Sequence, residues 1–83
     1  MTEKQWTNAY IVGMYILKDR NINISKIKIT PLGILIDYRH DKYGNRGVVI
    51  NDDTDLEKTF FAIDNDGDDY FEYVKCNKEE FYY

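Results

Sequence analysis

Lys26-Ile27-Lys28-Ile29-Thr30-Pro31-Leu32-Gly33-Ile34-Leu35-Ile36-Asp37-Tyr38 alternates, turns and alternates again. Lys26, Ile27, Lys28 and Ile29 have the two-residue period of a strand with one face on a core. Thr30-Pro31-Leu32-Gly33 is a turn, in which Pro31 presets the φ its position needs and Gly33 supplies a positive φ. Ile34, Ile36 and Tyr38 then alternate with Leu35, Asp37 and Arg39. The reading is a β-hairpin. Ile22 and Ile24 have the opposite parity to Ile27 and Ile29, which places a bulge or break near Ser25.

Upstream of the hairpin the period changes. Thr2-Glu3-Lys4-Gln5 has the form of a capping box, with Met1 and Trp6 at the hydrophobic-staple positions. A helix is expected from about residue 3 to 19. Trp6, Tyr10, Gly13 and Leu17 form one stripe, flanked by Ala9, Met14 and Ile16, and this stripe is expected to face the core. Lys4, Asn8 and Lys18 lie opposite, together with Ile11 and Tyr15. Two apolar residues on a wet face suggest an interface, so Ile11 and Tyr15 are candidate self-association residues and a homodimer is one expected state. Arg20-Asn21 supplies a basic last turn and a residue that tolerates a left-handed cap.

Downstream, His40 to Arg46 reads as a polar loop with Gly44-Asn45 at its tip, and Gly47 to Asn51 as a short strand. Asp52-Asp53-Thr54-Asp55 is a loop. Thr59 to Asp64 reads as a strand, Asn65-Asp66-Gly67 as a tight turn and Asp69 to Lys75 as the partner strand. A competing pattern exists: Thr54-Asp55-Leu56-Glu57 also fits a capping box, and Leu56, Phe60 and Ile63 have helical spacing. Strand is preferred because the Asn-Asp-Gly turn calls for two strands. Asn77 with Glu80 fits the cap of a short terminal helix, and 77–83 reads equally as an aromatic tail. The expected architecture is one α+β domain over 1–83, an N-terminal helix packed on a four- to five-stranded antiparallel sheet.

Composition narrows the function. The 83 residues are 43% hydrophobic and 16% aromatic, which argues against disorder despite 31% charge. One cysteine excludes an internal disulfide framework and fits a reducing compartment. The longest apolar run, Ala9 to Leu17, is far short of the ~20 residues that span a bilayer, and no basic region precedes it. The expected compartment is the cytoplasm, with no membrane partner. Abundant Ile, Asn, Lys, Tyr, Phe and Asp with scarce Ala, Pro and Arg is the usage of an AT-rich genome, which points to a low-GC bacterium or one of its phages.

The net charge of −4 hides a split. Residues 1–50 carry a net of +4 and residues 51–83 a net of −8. The acidic part also holds Phe60, Phe61, Tyr70, Phe71, Tyr73, Phe81, Tyr82 and Tyr83, so its carboxylates are expected on a folded aromatic scaffold. A fixed negative surface repels nucleic acid and attracts basic protein surfaces.

Catalytic and metal-binding patterns are weak. Aligning Gly67 with the invariant glycine of an EF-hand places Ala62 and Tyr73 where acids must stand, so no metal site is expected. His40-Asp41 is the only histidine–carboxylate pair, and the only serine and cysteine, Ser25 and Cys76, are distant from it in sequence. The expectation is a non-enzyme without cofactors. Lys26, Lys28, Arg39, Lys42 and Arg46, with Tyr38 and Tyr43 among them, suit single-strand binding. The acidic half opposes direct nucleic-acid binding.

Asp64, Asp66, Asp68, Asp69 and Glu72 cluster at one expected hairpin, and Asp52, Asp53, Asp55 and Glu57 in the loop before it. These nine are the candidate partner-binding residues. Rows of carboxylates on a rigid support imitate the charge density of DNA, one charge per about 1.7 Å of axis. In size, charge and α+β make-up the chain resembles the small acidic phage-encoded inhibitors of host nucleic-acid enzymes, such as anti-CRISPR proteins and the uracil-glycosylase inhibitor. The resemblance implies a stoichiometric inhibitor that acts as a DNA mimic and fills a basic channel, with a Cas9-type nuclease as one target. An immunity protein or antitoxin neutralising a basic toxin follows the same electrostatic logic, and a phage structural or accessory protein is a third setting.

Overall fold

The computed structural model describes residues 2–65. Helix α1 spans Glu3–Met14 and continues into a π-helical turn over Tyr15–Asp19. Strands β1 (Asn23–Thr30), β2 (Gly33–His40) and β3 (Gly44–Ile50) follow, and then helix α2 (Leu56–Asp64). The strands form an antiparallel meander in the order β1-β2-β3. The fold is α+β. Among the described residues the sheet has three strands, not four or five; the expected strand Asp69–Lys75 lies outside them, as do the expected turn at Asp66-Gly67 and the 77–83 segment.

Local chemistry accounts for the element ends. The Thr2 hydroxyl accepts a hydrogen bond from the Gln5 backbone N–H at 3.1 Å, as the capping-box pattern requires. At the other end Asn21 takes φ 52°, and the Ile22 N–H reaches back to the Ile16 carbonyl at 2.8 Å. That is a left-handed cap closed by a six-residue bond. The first hairpin pairs Thr30 with Gly33, and its register shifts between Ile24 and Lys26, where the parity break at Ser25 requires it. A Cβ on Gly33 would stand 2.6 Å from the Ile50 carbonyl oxygen, so only glycine fits where β2 starts beside the end of β3.

Two expectations for the second half are corrected. Residues 59–64 are helical, not a strand. Asp55 is the N-cap, its carboxylate accepting from the Lys58 N–H at 3.1 Å, while Thr54 accepts from the Asn51 N–H at 2.8 Å. Packing then rewards a helical period, because Thr59 and Ile63 are buried and Phe60 stacks on Tyr15 with ring centroids 4.1 Å apart. The loop expected from His40 to Arg46 is only a three-residue turn at 41–43, and β3 begins at Gly44.

The core joins Val12, Ile16 and Ile22 to Ile34, Ile36 and Tyr38 of β2, to Val48 and Ile50 of β3 and to Ile63 of α2. This corrects the expected helix face. Asn8, Val12 and Ile16 point inward, and Trp6, Tyr10 and Leu17 point out. Val12 and Ile16 pack with Ile34, Ile36, Val48 and Ile50 around the buried Tyr38 ring, which already fills the bulky position of this core.

Candidate partner-binding surfaces

The connection from β3 to α2 is built by hydrogen bonds from three directions. From α1, the Gln5 side-chain amide donates to the Ile50 carbonyl at 3.2 Å and the Asn8 amide to the Asn51 carbonyl at 3.0 Å. From the chain's start, the Thr2 hydroxyl donates to the Asp52 carboxylate. Within the loop, the Asp53 N–H donates to the Asn51 side-chain oxygen at 2.9 Å. Asp53, Asp55 and Glu57 stand exposed on this support, and Asp52 is half-buried. Asp55 and Glu57 lie at the N-terminus of α2, whose dipole favours negative charge. The loop and the β1–β2 turn enclose a cleft of about 410 Å³ lined by Gln5, Thr30, Pro31, Asn51, Asp52 and Asp53.

The structure therefore brings together Asp52, Asp53, Asp55 and Glu57. Asp64 stands at the far end of α2, where the Tyr15 hydroxyl donates to it at 2.6 Å and Arg20 pairs with it at 2.9 Å. Burial and the bond to Asp64 raise the Tyr15 hydroxyl above its ordinary pKa. Asp66, Asp68, Asp69 and Glu72 lie outside the described residues. Ile11 is exposed, whereas Tyr15 spends its ring on Phe60 and its hydroxyl on Asp64 and Arg20.

The opposite end of the sheet is basic. Arg39 and Lys42 are exposed, and Lys42 lies over the Tyr43 ring at 5.5 Å. The His40 Nδ1 accepts from the Lys42 N–H at 3.0 Å, so the candidate base is engaged in holding its own turn. On β1, Lys26 and Lys28 are exposed, and Lys26 stands across from Asp37, whose carboxyl is pushed up by burial. Among the described residues, no group of three His, Cys, Asp or Glu is placed to hold a metal ion, and no helix is long and apolar enough to cross a membrane.

A third surface is the one that residue spacing misassigned to the core. Trp6, Tyr10 and Gly13 of α1 and Leu17 of the π-helical turn face Ile27 of β1 across an almost wholly apolar groove of about 290 Å³. Their 4-3-4 spacing marks an apolar stripe but does not say whether it is covered. Comparison with protein-family models, curated proteins and solved structures finds no match for this chain.

Proposed function

We propose that this chain is a non-catalytic, cytoplasmic binding protein that inhibits a nucleic-acid enzyme by occupying its basic channel with the carboxylates of residues 52–72. One observation supports this reading above the others. The acidic loop is held by bonds from Thr2, Gln5, Asn8 and Asn51 before any partner arrives. A preorganised charged loop loses little conformational freedom on binding, and its field steers a basic partner toward it. The likeness to phage-encoded inhibitors gives the target class, nucleases of the Cas9 type among them. In this reading Asp69–Lys75 adds a fourth strand to the sheet and carries Asp69 and Glu72.

The test is titration of the protein into target-DNA cleavage by RNA-guided nucleases of low-GC bacteria. The expected result is inhibition complete near one inhibitor per enzyme and weakened by salt. The triple variant Asp53→Asn/Asp55→Asn/Glu57→Gln should need at least tenfold more protein. Asp55→Asn keeps the cap, so the fold survives. Inhibition by the triple variant equal to wild type removes the acidic loop from the mechanism, and inhibition of no enzyme in the panel removes the target class.

A further inference from the structure

We propose that the groove between α1 and β1 is a two-fold interface that a second copy of this chain fills. Five large apolar side chains are open there: Trp6 at 50%, Tyr10 at 69%, Leu17 at 47%, Ile27 at 59% and Ile29 at 58% exposure. Scattered exposed hydrophobics are ordinary, but Trp6, Tyr10, Leu17 and Ile27 line one groove, and Ile29 follows Ile27 on the same face of β1. Ile27 and Ile29 pair with Ile36 and Ile34, so they lie on the same face of the sheet as α1. They are uncovered because α1 packs over β2, β3 and the Ile24 end of β1 and does not reach Ile27 and Ile29.

Two features on this side are each self-complementary. The first is the helix stripe. Apolar residues at 6, 10 and 17 line one side of the helix, as in the seam of two packed helices, while Gly13 lies against Ile24 of the same chain. α2 does not use this seam, since it meets α1 through Tyr15 and Phe60 on another face. The second is β1, an eight-residue strand at the edge of the sheet formed by the described residues. An edge strand presents unpaired backbone groups that pair with another strand. Antiparallel pairing of β1 with its own copy places both features on one two-fold axis, as an isologous dimer requires. The sheet of the described residues becomes six-stranded across the axis, and the two stripes close over the seam.

The area is adequate. A stable interface buries about 800 Å² per partner. An aromatic side chain contributes roughly 150–250 Å² when buried. The exposed half of Trp6 and two thirds of Tyr10 supply roughly 250 Å² of it, and Leu17, Ile27, Ile29 and the rim must supply the rest. Charge sets the salt dependence. Lys26 and Lys28 of the two copies face one another on the far side of the joined sheet, and each chain carries a net of −4. Salt screens both repulsions, so it strengthens this association, whereas it weakens binding through the acidic loop.

Sedimentation equilibrium of the full chain over micromolar to millimolar concentration tests the proposal, with Trp6, the only tryptophan, as an optical reporter. Expected are a mass twice the 9.9 kDa of one chain at high concentration, a blue shift of Trp6 emission along the same curve and tighter association at higher salt. Tyr10→Glu and Ile27→Glu, both at exposed positions, should each weaken association at least tenfold with an unchanged melting temperature of the monomer. Ile11→Lys, outside the groove, should leave it intact. A wild-type mass of 9.9 kDa throughout, as when residues 66–83 or a foreign protein is the true occupant, overturns the proposal. So does a dimer that persists in both glutamate variants, or one that Ile11→Lys abolishes.

Discussion

Helix α1 has two apolar faces, and the molecule treats them oppositely. Val12 and Ile16 are sealed in the core, while Trp6 and Tyr10, with more apolar surface to hide, stand at least half exposed. The difference teaches that fit, not hydrophobicity, chooses the inward face. With the Tyr38 ring already in the core, the short branched Val12 and Ile16 complete the packing against β2 and β3. The larger side chains are left to whatever lies beyond the β1 edge.

The largest expected effect breaks this comparison if it fails. Ile16→Ala should cost about 2–5 kcal/mol, because it removes a fully buried side chain and leaves a cavity. Tyr10→Ala should stay within about 0.5 kcal/mol in the monomer. Thermal melting of the two variants reads both, and equal losses would mean that both faces are packed in solution.

The next effect sharpens the inward face. Asn8 is buried, and its amide is bonded to the Asn51 carbonyl. Asn8→Leu removes that bond, leaves the carbonyl only its longer bond from the Thr54 N–H at 3.4 Å, and should cost about 1 kcal/mol. It should also speed amide exchange across 51–55. Unchanged exchange there would show that the Asn8 bond does not hold the acidic loop.

Tyr15→Phe tests the third side of α1. It keeps the stack on Phe60 and removes the bonds to Asp64 and Arg20, with an expected loss near 1 kcal/mol by denaturant titration. The ion pair itself is half-open to water, so Arg20→Gln should cost less.

How much of this was legible before the structure follows from the range of the forces involved. The Thr2–Gln5 cap, the bulge at Ser25, the Pro31–Gly33 turn and the left-handed Asn21 are contests between neighbours in sequence, and short patterns display them. The rotation of α1 about its axis is set by β2 and β3, so Trp6 looked like core and Asn8 like surface. Residues 59–64 suit strand and helix almost equally as a local pattern, and Tyr15, from 45 residues away, settles them as helix through its stack on Phe60. For the candidate sites, composition showed that 52–57 is acidic. It did not show that α1 would anchor that loop, nor that the Trp6–Tyr10 stripe would border a groove.

The smallest expected effect compares β1 with β2. Burial raises the Asp37 carboxyl above the ordinary carboxylate value, and Lys26 opposes the shift. A raised folded pKa means that the group's favourable contribution is full below the unfolded value, about 3.9, and is lost as pH rises through the folded one. At pH 7 Asp37→Asn should therefore stabilise the protein, by less than about 1 kcal/mol given its partial exposure. The gain should vanish toward pH 3. Destabilisation at pH 7 would show that Lys26 outweighs burial.

The turn from Tyr15 to Asp19 has a consequence for how the gene can vary. A π-helical turn is an α-helix carrying one residue too many. Loss of a single codon among 17–19 restores an ordinary helix and leaves everything up to Ile16 in place. What changes is the angle at which Arg20 emerges, and with it the grip on Asp64. Insertions or deletions elsewhere in α1 would turn Val12 or Ile16 out of the core. Length variation in this region is thus channelled into one short tract, where it disturbs the Asp64 latch and the Ile22–Ile16 cap while Val12 and Ile16 keep their seats.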